Sequence, residues 1–135
     1  MRKIRLIALS LIIILLLGGC TSNEEPVLKG FYQSEKDTNG YVIQMSIQQD
    51  DSSFIQYINN REVDKGTYEK AENNIHKMRT ENQNFEITLD DENSFDIVIR
   101  KLNSGNPIKM KNINNVPAYF KTRFDDVDKY KTLIE

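Results

Sequence analysis

Residues 41–52 read Tyr41-Val42-Ile43-Gln44-Met45-Ser46-Ile47-Gln48-Gln49-Asp50-Asp51-Ser52, and this stretch decides the fold class. Tyr41, Ile43, Met45 and Ile47 are apolar at a spacing of two, with Gln44, Ser46 and Gln48 falling between them. That period puts the two sets on opposite faces of a pleated strand; a helix would need apolar residues three and four apart. The run ends in Gln49-Asp50-Asp51-Ser52, and Asp and Ser favour turns because their side chains bond their own backbone.

The same grammar extends in both directions. Phe85, Ile87 and Leu89 alternate, as do Phe95, Ile97 and Ile99. Asn39-Gly40, Asn59-Asn60, Asn73-Asn74, Asn82-Gln83-Asn84, Asp90-Asp91-Glu92-Asn93 and Asn103-Ser104-Gly105-Asn106 separate the runs, and Asn accepts the left-handed angles of tight hairpins. Eight strands are expected, at 29–34, 41–49, 54–58, 66–71, 75–81, 85–90, 95–102 and 107–113. The connections are too short for crossover helices, so the chain is expected to be mainly β, a single antiparallel meander forming a small barrel or sandwich. An eight-stranded barrel is just wide enough to be filled by side chains or to hold one small ligand.

The tail breaks the pattern. Asp125 and Asp126 precede Val127, Tyr130 and Ile134, apolar at i, i+3 and i+7, with Lys129 and Lys131 later. Acids first and bases last suit a helix dipole, so a short helix is expected over 125–134, packed on one end of the sheet. Pro117, Tyr119, Phe120 and Phe124 form the connection into it.

The amino terminus carries a different message. Arg2, Lys3 and Arg5 precede a run from Leu6 to Leu17 in which only Ser10 is polar. Twelve residues suit the core of an export signal, whereas a spanning helix needs about 20. The run closes on Leu17-Gly18-Gly19-Cys20, followed by the polar Thr21-Ser22-Asn23-Glu24-Glu25-Pro26. This segment resembles the lipobox signal of bacterial lipoproteins. The resemblance implies diacylglyceryl transfer to the Cys20 sulfur, cleavage between Gly19 and Cys20, and a chain held on the extracytoplasmic face of the cell membrane. Three parts follow: a signal at 1–19, a lipidated Cys20 with a short tether over 20–28, and a domain over 29–135. Eight tether residues reach at most about 26 Å, so the domain stays near the membrane.

Cys20 is the only cysteine among 135 residues, which excludes an internal disulfide. The chain carries 18 basic and 20 acidic residues; without Arg2, Lys3 and Arg5 the balance is 15 against 20. A net acidic domain argues against a nucleic-acid partner or a broad basic lipid-binding face.

Residues 29–113 resemble, in pattern, the small lipocalin-like lipoproteins of Gram-positive bacteria. The likeness rests on Gly30-Phe31-Tyr32, on Lys65-Gly66-Thr67-Tyr68 and on the strand count, and it implies an architecture without assigning an activity.

Catalytic and metal chemistry find little to stand on. His76 is the only histidine, and the usual zinc set would need a second histidine or a free cysteine. His76 reads as an ordinary strand residue. The patterns G-x-S-x-G, S-x-x-K, H-E-x-x-H, G-x-x-x-x-G-K and G-x-G-x-x-G do not occur. Asp90-Asp91-Glu92-Asn93 and Asp125-Asp126-Val127-Asp128 lack the spacing and central Gly of a calcium loop, and read as a turn and a helix start. No catalytic residue, metal or cofactor is expected, and an envelope enzyme is the least favoured class.

The aromatics Phe31, Tyr32, Tyr41, Phe54, Tyr57, Tyr68, Phe85 and Phe95 would fill a barrel core or line an apolar cavity. Core filling is favoured, because a domain of about 115 residues has little apolar material to spare. Two functional classes remain in view. One is a non-enzymatic binding or protective module whose partner is a small apolar ligand or a protein. The other is an inhibitor or immunity-type module that blocks a hydrolase, toxin or phage component. A dry cavity favours a carrier; a filled barrel favours an interacting surface.

Overall fold

A computed structural model describes residues 25–36 and 39–135. Eight strands follow the expected series: β1 (Gly30–Ser34), β2 (Ile43–Gln48), β3 (Ser53–Ile58), β4 (Arg61–Lys70), β5 (Ile75–Thr80), β6 (Asn84–Thr88), β7 (Phe95–Ile97) and β8 (Ile108–Asn114). One helix, α1 (Val127–Lys131), continues into a 3-10 turn over Thr132–Ile134. All the ladders are antiparallel, and β1 pairs with both β2 and β8. The sheet order is β6-β5-β4-β3-β2-β1-β8-β7, an up-and-down barrel missing only the β6–β7 ladder.

The turns explain the path. Asn59 and Asn60 have φ of 48° and 69°, and Asn73 and Asn74 have 56° and 63°. At 59–60 the consecutive left-handed residues make the two-residue hairpin whose twist matches the flanking strands, while Asn73 and Asn74 lie in the longer connection between the paired Lys70 and His76. Ile58 therefore pairs directly with Arg61, and β4 begins five residues before the expected start at 66. β7 instead ends early, at Ile97 rather than 102. Its continuation leaves the ladder, yet Ile99 and Leu102 still point inward and are buried.

The interior follows the period of two. Ile43, Met45 and Ile47 lie opposite Ile58, Gln56 and Phe54 on β3, and Met45 also opposite Tyr32 on β1. Tyr32, Met45, Ile58 and Met110 are 0% exposed, and Phe54, Met78 and Ile87 are 1% exposed. The barrel is filled along its axis by these side chains.

The other face of β2 is buried as well, which alternation alone does not predict. Residues 115–126 cross the outside of β1, β2 and β3 as a strap. Ser46 Oγ donates to the Ala118 carbonyl and accepts from the Ala118 N–H at 2.8 Å. Phe120 sits edge-on between Tyr57 at 4.9 Å and Phe31 at 6.0 Å, and the Tyr119 hydroxyl donates to Gln48.

Two glycines permit the close curvature. A Cβ at Gly30 would overlap the Asn114 carbonyl oxygen on β8; one at Gly66 would overlap that of Arg79 on β5. Both neighbours are backbone atoms, which cannot swing aside. Gly66→Ala is therefore expected to lower stability by about 1–3 kcal/mol or more, as overpacking does. Urea denaturation checks this, and an unchanged midpoint would contradict the close-approach reading.

Candidate functional site

The alternating strands give the barrel two distinct ends. At one end, the one the expected tether would meet, the chain enters from residue 25, beside the turns 49–52, 71–74 and 89–94. At the far end lie the loop 35–42, the Asn59-Asn60 turn, the turn 81–83 and the loop 98–107. The helix closes this far end: Tyr130 meets Tyr41 edge-on at 5.9 Å, and Leu133 and Ile134 pack against the core.

Arg61, the first residue of β4, fastens that closure. Its Nε and Nη2 donate to the two oxygens of Asp126 at 3.0 and 2.9 Å, and its Nη1 donates to the Asn59 carbonyl at 2.7 Å. The guanidinium plane lies 3.9 Å from the Phe124 ring centroid and 4.6 Å from that of Tyr130. A planar bidentate fork between two rings is a geometry that lysine cannot reproduce. The hydrogen bonds from Arg61 hold the Asp126 carboxyl below its ordinary range. Asp126 directly precedes α1, but its carboxylate serves Arg61 rather than capping the helix.

The residues singled out in the sequence fall in separate places. Leu17, Gly18, Gly19 and Cys20, with the cleavage point, lie outside the described residues. His76 points into the barrel, 4% exposed, its ring 6.1 Å from that of Tyr68 and its Nδ1 without a partner. Burial pushes the imidazole below its ordinary pKa; the Asn74 backbone opposes this and the Lys70 charge adds to it. Asp90 organises a turn, its Oδ1 accepting from the backbone of Ser94 at 2.9 Å and of Glu92 at 3.0 Å. These bonds, chiefly that from Ser94, hold its carboxyl below the ordinary range. Asn93 in the same turn accepts from the Tyr32 hydroxyl at 3.1 Å. The second acidic run starts α1, as expected.

Arg61, Ser46 and Asp64 were not marked by sequence reasoning. Asp64 Oδ2 accepts from Thr80 Oγ1 and Gln83 Nε2, both at 2.8 Å, and so braces the β5–β6 turn. It borders an open cleft of about 530 Å³ at the far end, with Glu62, Glu81, Lys131 and Glu135. A second cleft of about 330 Å³ lies under the strap beside Arg61, Arg123 and Phe124. Among the described residues no three His, Cys, Asp or Glu side chains group as a metal site, and no helix is long and apolar enough to cross a membrane. Comparison of the chain with models of known families, with curated proteins and with solved structures found no match.

Two outcomes follow from this geometry. Arg61→Lys keeps the charge but loses the fork and the stacking. Hydrogen exchange of amides 118–134 should then speed up roughly tenfold while β2 and β3 keep their protection, as expected for a local opening; uniform protection in both proteins would contradict the clasp. His76 has a folded pKa below its unfolded value of about 6.5, so the unfolded state binds the extra proton. Stability is therefore full above about pH 6.5 and declines as the pH falls from there toward the folded pKa. Asp90 and Asp126, with ordinary values of 3.8, act only at lower pH. Chemical denaturation of His76→Gln should show a flatter profile between pH 7 and 5, and an unchanged slope would assign it elsewhere.

Proposed function

We propose that this chain is an extracytoplasmic lipoprotein, anchored through acylated Cys20, and that it acts by presenting a surface rather than by carrying a ligand inside its barrel. The anchor is supported by the charged start, the twelve-residue apolar core and Leu17-Gly18-Gly19-Cys20. Two acyl chains pass the threshold for stable attachment, which one chain alone does not. The surface mode is supported by the filled axis: Tyr32, Met45, Ile58 and Met110 occupy the space a small apolar ligand would need.

Under this reading the protein is non-enzymatic, and its partner is a macromolecule of the envelope or one arriving from outside. That places the inhibitor or immunity-type module ahead of the small-molecule carrier. The clasped far end favours the same choice, because α1 and Ile134 stand where a ligand would enter.

One measurement addresses both halves. Native mass spectrometry of the full chain, extracted from the membranes of its own host, should give a polypeptide starting at Cys20 with added acyl mass and no small molecule bound. An unacylated mass would overturn the anchor. A co-purifying small molecule, lost on denaturation, would overturn the surface mode and restore the carrier.

A further inference from the structure

Five large hydrophobic side chains stand out as exposed among the described residues, and three of them gather at the tether end. Val27 is 48% exposed, Ile113 58% and Val116 65%. The β1–β8 pairing brings their segments together: Phe31 pairs with Asn114, and Asn112 Nδ2 donates to the Lys29 carbonyl at 2.9 Å. Ile113 falls where the register shifts between Phe31 and Tyr32, so it is the residue the ladder pushes out. Val116 follows in the bend held by Asn114 Oδ1, which accepts from the Val116 N–H at 3.1 Å.

The same end of the barrel receives the tether: it docks at the end of β4 and crosses to β1, and it is short. From Glu25 the chain is already docked: Glu25 pairs with Lys70 at 3.8 Å, and Leu28 is buried. Five residue steps separate Cys20 from Glu25, which span at most about 18 Å. An acylated Cys20 therefore holds this end of the barrel permanently near the lipid surface, and the high local concentration lets a small apolar contact at its corner suffice.

We propose that the corner formed by Val27, Ile113 and Val116 rests on the bilayer that anchors the chain, so that the clasped far end points outward. The proposal rests on the anchor reading above. Asp50 and Asp51, Glu72, and Asp90, Asp91 and Glu92 occupy the other turns of this end. They oppose close approach to anionic lipid, which leaves the apolar corner, with Lys29 beside it, as the point of contact rather than the whole rim.

The test uses the full lipidated chain in phosphatidylcholine vesicles containing brominated acyl chains. Val116→Cys and, at the far end, Asn106→Cys are each labelled with a thiol-reactive bimane. Acylation leaves Cys20 without a free thiol, so the unsubstituted chain should take up no label; labelling there would sink the anchor and this proposal together. With that control satisfied, bromolipid should quench the label at residue 116 about twofold or more over that at residue 106, because apolar interfacial groups reach the acyl boundary. Equal quenching at both positions would overturn the proposal and leave the anchor standing.

Discussion

Strand β1 is hydrogen-bonded along both edges, to β2 on one side and β8 on the other. The double pairing joins the first segment of the domain to the last strand and turns an eight-stranded meander into a barrel. Tyr32 sits in the middle of it, fully buried, with its ring 4.8 Å from Phe95 and its hydroxyl bonded to Asn93. Gly30 makes it sterically feasible, since any side chain there would meet the β8 backbone. Closure of this kind contributes through long-range contacts whose loop entropy must be met before they form, which suits slow, cooperative folding.

Closing the barrel fills its interior but leaves the outer surface of β1, β2 and β3 to be dealt with. The strap meets this need by building a second, thinner apolar layer from Phe31, Tyr57 and Phe120. Polar groups trapped beneath it are matched one by one. Gln44 Nε2 donates to Asn60, and its Oε1 accepts from the Asn60 N–H at 2.8 Å, while Ser46 answers both backbone groups of Ala118. An unmatched buried group would cost about 1–3 kcal/mol, so the pairing matters more than the strength of any single bond. Within the barrel Gln56 Oε1 and His76 Nδ1 are buried with no partner from the protein.

What the sequence could and could not convey follows from the range of each interaction. β2 was legible because a period of two is local, and the Asn pairs were legible because their left-handed angles belong to the residues themselves. Gln44 and Ser46 fall on the face opposite the apolar set, yet they too are buried, and the cover over Ser46 arrives from Ala118, 72 positions away. The start of β4 was hidden for a related reason. Arg61-Glu62-Val63-Asp64-Lys65 shows no apolar alternation, since Asp64 takes up an inward position to brace a turn on β5 and β6. Arg61 looked like one charge among many, and only the fold sets it between Phe124 and Tyr130. Ile99 and Leu102 carried the opposite error: they are buried as strand residues would be, but from a loop.

The β6–β7 seam shows how a barrel can be closed without a final ladder. The two strands are in contact, and on the inner side Ile87, Leu89, Phe95 and Ile97 fill the gap with apolar side chains. On the outer side each edge carries an exposed acid, Glu86 on β6 and Asp96 on β7, and β7 is only three residues long. Charged residues and short edge strands are the usual means of discouraging a foreign strand from adding to an open edge. Each acid lies opposite a lysine on its own partner strand, Glu86 opposite Lys77 and Asp96 opposite Lys109. The apolar interior draws the two edges together. Along its length the seam thus rests on side-chain packing, with the Asp90 N–H donating to the Ser94 carbonyl at 2.9 Å to close the turn at its base, and unlike the β1–β8 closure it needs no glycine to let backbones meet.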